Sequence, residues 1–252
     1  MIITRTPFRI SFFGGGTDFP IWYNQSRGKV LSTAINKYCY ISTRVLPPFF
    51  KYNYRLRYFL KEEVSKISQI KHPSVRESLK YLNFKKNIEM VHYADLPAQS
   101  GLGASSSFTV GFLNSLTALQ GQRISKRNLS SRAIHIEQNK MKETVGSQDQ
   151  IAAAFGGFNI INFTNGSYEV NPVPTENKNL LKIQDSIFLV FSGYSRKASD
   201  IEDKKLKKFN QNQNFYTEIL KIADEAERKL FSSKNIISDF SELMTKYWWC
   251  KK

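Results

Sequence analysis

Cysteine and histidine are scarce in this chain of 252 residues, which has two of the first and three of the second. Cys39 and Cys250 lie far apart and fit neither a zinc-ligand spacing nor a disulfide framework. Cys39 falls in an apolar strand pattern, where a buried thiol is expected. His72, His92 and His135 are scattered and suggest no metal site. No apolar run approaches the roughly 20 residues that span a bilayer. Residues 1–9 read as a strand and lack the unbroken apolar stretch and small-residue cleavage site of a signal peptide. The expectation is therefore a cytoplasmic protein with no membrane partner. Acidic residues are also few: 21 Asp and Glu stand against 37 Lys and Arg, a net charge of +16. That excess favours an anionic partner, whether nucleic acid, anionic lipid or a phosphorylated metabolite, without choosing among them. Much of it sits in runs such as Lys204-Lys205 and Lys207-Lys208, which read as solvated helix faces, so nucleic acid is not the expected partner. What is plentiful is core material. The 41% apolar and 13% aromatic content is that of a folded protein, large enough for one domain or two.

Residues 2–13, 35–46, 88–93, 158–163 and 187–191 read as strands. In the second of these, Cys39, Ile41 and Val45 share a face. Residues 105–119 read as a helix, because Phe108, Phe112, Leu116 and Leu119 recur at helical spacing. Ser125 reads as the N-cap of the next helix, running to about Asn139, and Ser147 as the cap of a third over residues 148–155. Asn165-Gly166 is a turn signal. A polar stretch with two prolines at residues 171–178 suggests a boundary, giving domains 1–175 and 176–252. Beyond it, Phe215, Ile219, Ala223, Ala226 and Leu230 form a helical stripe. A last helix starts near Ser238 and carries Phe240, Leu243 and Tyr247.

The most informative stretch is 97–107, Pro-Ala-Gln-Ser-Gly-Leu-Gly-Ala-Ser-Ser-Ser, which follows a strand and opens a helix. Gly101 and Gly103 permit a tight turn and a close approach of backbone to ligand. The N–H groups of a helix start favour an anion such as phosphate. Ser105, Ser106 and Ser107 offer three hydroxyls for phosphate oxygens or for a hard cation. No Gly-Lys-Ser/Thr follows, so this is not a Walker loop.

The string resembles the Pro-x-x-x-Gly-Leu-Gly-x-Ser-Ser signature of the GHMP kinases. Residues 5–18, ending Gly14-Gly15-Gly16-Thr17-Asp18, look like that superfamily's N-terminal substrate motif, with an ending similar to the heptose 7-phosphate and fucose kinase branch. Val145-Gly146-Ser147-Gln148-Asp149-Gln150 is a third match, and Ser192 to Asp200 a weaker fourth. The resemblance implies an α/β (α+β), two-domain GHMP-kinase-like fold and transfer of a phosphoryl group from ATP, with Mg2+, to a small-molecule sugar phosphate. On this resemblance the acceptor is the anomeric hydroxyl of D-glycero-D-manno-heptose 7-phosphate. It places ATP on Pro97, Gly101, Leu102, Gly103, Ala104, Ser105, Ser106 and Ser107, and the metal on Ser105 and Glu137. Asp149 becomes the catalytic carboxylate, with Arg9 at substrate or the transferring group. Gly14, Gly15, Gly16, Thr17 and Asp18 face the sugar, and Arg196 meets its phosphate. Read from the residues alone, Asp149 is also an ordinary helix-start aspartate, favoured there by the helix dipole, and Glu137 an ordinary helix glutamate.

Nothing here matches the family's third, Gly-rich motif, so the resemblance also implies an incomplete C-terminal domain. Other readings stay open: another GHMP small-molecule kinase of the fucose or galactose type, or a non-catalytic protein that binds ATP or RNA. A homodimer is among the assemblies the sequence permits.

Overall fold

The computed structural model describes residues 1–98, 100–190 and 213–251. In chain order its elements are β1 (Ile2–Phe13), α1 (Pro20–Tyr23), β2 (Gly28–Val45), β3 (Tyr54–Arg57), β4 (Lys61–Val64), α2 (Pro73–Tyr81), β5 (Ile88–Ala94), α3 (Ala104–Leu119) and α4 (Lys126–His135). A π-helical turn (Ile136–Lys140) continues α4. Then come α5 (Gln148–Phe155), β6 (Phe158–Thr164), β7 (Ser167–Pro172), α6 (Lys178–Asp185), α7 (Gln213–Ser232) and α8 (Ile236–Lys251). The class is mixed α/β, as expected.

The chain forms two compact units, Met1–Phe8, Ile35–Val145 and Asp149–Phe155 in the first, and Arg9–Ala34, Gly146–Gln148 and Gly156–Lys252 in the second. They interleave along the sequence. Strands β1 and β2 are long enough for each to contribute to both.

In the first unit β3 lies between β4, antiparallel to it, and β5, parallel to it, and β5 pairs antiparallel with residues 39–45 of β2. The inward residues Phe8, Ile41, Leu56, Ile88 and Met90 pack on Phe108, Phe112 and Leu116 of α3 and on Val75 and Leu79 of α2. A second face of α3, with Val110 and Leu113, packs on Leu129, Ala133, Ile136 and Ala153. Helix α3 is thus covered on two sides, which fixes its axis and aims its N-terminus.

In the second unit residues 28–33 of β2 pair with β6, and β6 with β7 across a two-residue turn at Asn165 and Gly166. Both turn residues have positive φ, 48° and 72°, the conformation that suits the twist of a tight hairpin. The stripe Ile219, Ala223, Ala226 and Leu230 of α7 joins Phe240, Leu243 and Tyr247 of α8 around Phe12, Phe13, Leu31 and Phe158.

One expected strand is not formed. Ile187 to Val190 lie outside any strand, with Phe188 87% exposed; no described strand pairs with them, and alternation alone does not make a ladder. Phe191 is outside the described residues. The stretch read as a boundary leads into α6, whose start is fixed by Asn177 Oδ1 accepting from the N–H groups of Asn179 and Leu180, both at 3.0 Å.

Candidate active site

The first unit carries the Gly-rich loop. Gly101 and Gly103 have φ of 75° and 76°, a region open to glycine and strained for other residues. A Cβ on Gly101 would meet nothing within 4 Å, so the space above the turn is open. Leu102 and Ala104 pack against the core of this unit and anchor the loop from beneath. Pro97 is exposed at its start.

The three serine hydroxyls do not act together. Successive helical side chains point about 100° apart, and the first turn of α3 sends each one elsewhere. Ser105 is exposed. Ser106 is buried and donates to Glu137 Oε2 at 2.8 Å. Ser107 donates to the Pro7 carbonyl in β1 at 2.7 Å. Of the three hydroxyls expected to serve phosphate or a cation, Ser105 alone faces solvent, while Ser107 is committed to holding the helix on the strand.

Glu137 lies in the π-turn and is buried to 1% exposure. Such turns place one side chain off the regular helical register and recur at functional sites. Burial pushes its carboxyl up to about 7, while the nearby hydroxyls of Thr109 and Ser106 and the Gln150 amide pull the other way. Gln150 Nε2 donates to the same oxygen, Oε2, as Ser106. The other oxygen, Oε1, is buried with no hydrogen-bond partner among the described residues. The Thr109 hydroxyl is committed to the Ser105 carbonyl at 3.2 Å and to Ser74 Oγ at 3.0 Å. An orphaned, buried carboxylate oxygen suits a hard divalent cation, which prefers oxygen ligands.

Past Glu137 the chain is braced before it enters α5. Glu143 N–H donates to the Glu137 carbonyl at 2.9 Å, and Gln138 Nε2 to the Val145 carbonyl at 3.0 Å. Asp149 is the second residue of α5 and half-buried. Its neighbour Gln150 is fully buried. Gln150 had no assigned role in the sequence although it ends the quoted motif; only its burial and its bond to Glu137 distinguish it.

The second unit holds the Gly14–Asp18 turn at the end of β1. Thr17 N–H and Thr17 Oγ1 both donate to the Gly14 carbonyl, at 3.0 and 2.8 Å. Gly14 has φ of 87°, and a Cβ there would stand 1.8 Å from the Lys29 carbonyl oxygen, so only glycine fits. Asp18 is fully buried. Its Oδ1 accepts from Gly16 N–H at 2.8 Å, its Oδ2 from Gln148 N–H at 3.2 Å, and its carbonyl from Ser147 N–H at 3.0 Å. The carboxylate expected at sugar hydroxyls therefore shapes the loop from inside. Thr17 is buried in the same way, and Gly16 is the more open residue of the turn. Tyr247 of α8 donates to the Gly15 carbonyl at 3.2 Å, and Tyr23 shares a hydrogen bond of 3.1 Å with Ser147. Neither tyrosine was legible as a brace, since both partners are distant in sequence. Arg9 is half-buried in β1. Arg196 and the rest of the Ser192 to Asp200 motif lie outside the described residues.

Known proteins share parts of this sequence and its fold. Residues 70–157 match the family described as "GHMP kinases N terminal domain". The chain is 26% identical over 262 aligned positions to D-glycero-alpha-D-manno-heptose 7-phosphate kinase of Campylobacter jejuni, covering all of this chain and 77% of that protein. A crystal structure of a D-glycero-D-manno-heptose 1-phosphate kinase from Bacteriodes thetaiotaomicron superposes with a TM-score of 0.81 at 21% identity, covering 100% of this chain and 79% of that one. Streptococcus pneumoniae phosphomevalonate kinase, solved with phosphomevalonate and AMPPNP, superposes with a TM-score of 0.73 at 16% identity, covering 98% and 79%.

Proposed function

We propose that this chain, whose residues 70–157 match the GHMP kinase N-terminal domain, is a kinase that transfers the γ-phosphoryl group of ATP to the anomeric C1 hydroxyl of a sugar phosphate, with D-glycero-D-manno-heptose 7-phosphate as the preferred acceptor. The observation that carries the reading is the first turn of α3: two left-handed glycines lead into a helix start with an exposed Ser105, and the next serine is bonded to a buried glutamate with one unpaired oxygen.

In this reading Gly101 and Gly103 let the nucleotide phosphates approach the N–H groups of α3, where the helix dipole favours their charge. Glu137, through Oε1, and Ser105 would be the groups to hold Mg2+, which would supply neutralisation of phosphate charge. Asp149 accepts the proton that the sugar hydroxyl loses as its oxygen bonds to phosphorus and ADP departs. Arg9 pairs with substrate charge. Gly14, Gly15 and Gly16 form the sugar side, with Gly16 nearest to solvent, while Thr17 and Asp18 hold their shape. Arg196 meets the acceptor's phosphate. The heptose assignment is supported by the Campylobacter relative and by the Gly-Gly-Gly-Thr-Asp ending of the first motif.

A panel of free and phosphorylated heptoses, fucose, galactose and mevalonate, assayed for ADP release, tests the proposal. The expected result is ADP release with heptose 7-phosphate well above every other acceptor, and a product phosphorylated at C1. ATP turnover with fucose or mevalonate alone overturns the acceptor, and failure to bind ATP overturns the kinase chemistry assigned to these residues.

A further inference from the structure

Two polar side chains of the first unit are buried and bonded to each other. Gln150, on α5, is 0% exposed, and Glu137, in the π-turn, is 1% exposed. Their hydrogen bonds divide the carboxylate unequally. Oε2 accepts twice, from Ser106 Oγ and from Gln150 Nε2. Oε1 accepts from nothing among the described residues, and Gln150 Oε1 is left in the same state. An unpaired buried acceptor is costly, because it has given up water without gaining a protein donor. Here two of them sit on side chains bonded to each other. A purely structural role is served as well by apolar residues of similar volume, which carry no such cost.

We infer that Gln150 is a positioning residue for a divalent cation: with the Ser106 hydroxyl it occupies Oε2 of Glu137, so that Oε1 is the oxygen left for the metal, and its own Oε1 accepts from water in the metal's shell. The inference rests on the reading of Glu137 as a cation ligand. Two donors converging on one carboxylate oxygen fix the rotation of the carboxylate plane, a freedom an exposed glutamate retains. Residues that hydrogen-bond a ligating carboxylate typically influence metal affinity by about 10- to 100-fold without touching the ion. Mg2+ keeps several of its waters when protein-bound, and the O–H of such a water is the donor that the Gln150 oxygen lacks. Gln150 also joins two elements. It follows Asp149 on α5, so the bond to Glu137 ties the π-turn to the helix bearing the proposed base.

The test uses the full 252-residue chain, with Mn2+ as a paramagnetic stand-in for Mg2+ and a non-hydrolysable ATP analogue. Bound Mn2+ is titrated by electron paramagnetic resonance, and analogue affinity without metal is measured by calorimetry. Gln150→Met keeps the length of the side chain and removes its donor and acceptor. It is expected to weaken Mn2+ binding by about tenfold or more, with metal-free analogue affinity within about twofold of wild type. Ser106→Ala is expected to act in the same direction. Glu137→Gln separates the two levels of the argument. If Glu137→Gln leaves Mn2+ affinity unchanged, Glu137 is not a ligand, and the metal reading falls together with this inference. If Glu137→Gln weakens the metal and Gln150→Met does not, the inference alone is overturned. Equal losses of Mn2+ and metal-free analogue binding in Gln150→Met, with a lowered Tm, also overturn it, because that pattern marks a structural residue.

Discussion

Asp149 and Asp18 are both aspartates within a matched motif, and the structure treats them oppositely. Asp149 is half-buried at a helix start, where a carboxylate can still meet a reacting hydroxyl. Asp149→Asn is expected to lower kcat by about 100-fold or more with little change in ATP affinity; steady-state kinetics with the acceptor found in the panel decides. Asp18 accepts from two backbone N–H groups in full burial. Asp18→Ala strands both donors and is expected to cost about 2 kcal/mol or more of stability, seen as a lowered Tm before any effect on KM. A Tm equal to wild type would return Asp18 to the role of a sugar ligand. Glu137 gives a pH signature in the metal-free chain. Burial raises its carboxyl to about 7, above the ordinary value of 4.5. The folded state then holds a proton that the unfolded state releases, so the contribution to stability is complete below about pH 4.5 and is lost as pH rises through about 7. Glu137→Gln cannot ionise, and the fall of Tm with pH across that window should be shallower than in wild type. An unchanged slope would show that Glu137 is ionised throughout.

At the scale of elements, α3 and its glycine turn carry the nucleotide assignment. Gly101→Ala introduces a methyl group into space with no atom within 4 Å, so the fold bears only the left-handed strain of about 1–2 kcal/mol. ATP affinity is expected to fall about tenfold, because the methyl group would stand in the proposed path of the phosphates. Unchanged affinity by calorimetry would remove the phosphates from this turn. In the second unit α7 is tied to β2 by charge. Lys29 pairs with Asp224 at 2.7 Å and with Glu227, and Arg27 pairs with Asp224.

At the scale of the whole molecule, the chain is strongly cationic and yet displays aromatic surface. Trp248 and Trp249 of α8 are 61% and 65% exposed, and Met244 on the same helix is 48% exposed. Exposed apolar patches on soluble proteins favour association. The double variant Trp248→Gln, Trp249→Gln is expected to reduce light scattering at high protein concentration and to leave ATP affinity unchanged. Equal scattering from both proteins would place self-association on another surface.

The sequence by itself determined the elements with strong period and the identity of the motifs. Helix α3 was legible because Phe108, Phe112 and Leu116 recur at helical spacing, and α5 because glycines close its C-terminal end. The turn at Asn165 and Gly166 was legible because its conformation is a property of those two residues. What only tertiary structure decided was direction and pairing. Three consecutive serines look equivalent on paper; the rotation of the helix exposes Ser105, turns Ser106 to Glu137 and turns Ser107 to the Pro7 carbonyl. Asp18 became an internal brace because Gly16, Ser147 and Gln148, the last two about 130 residues distant, fold onto it. Short β3 and β4 exist through ladder partners, and residues 187–190, apolar and strand-like in sequence, form no strand among the described residues. Local propensity fixes what a segment can be; burial and a hydrogen-bond partner, both supplied from elsewhere in the chain, fix which oxygen is satisfied and which is not.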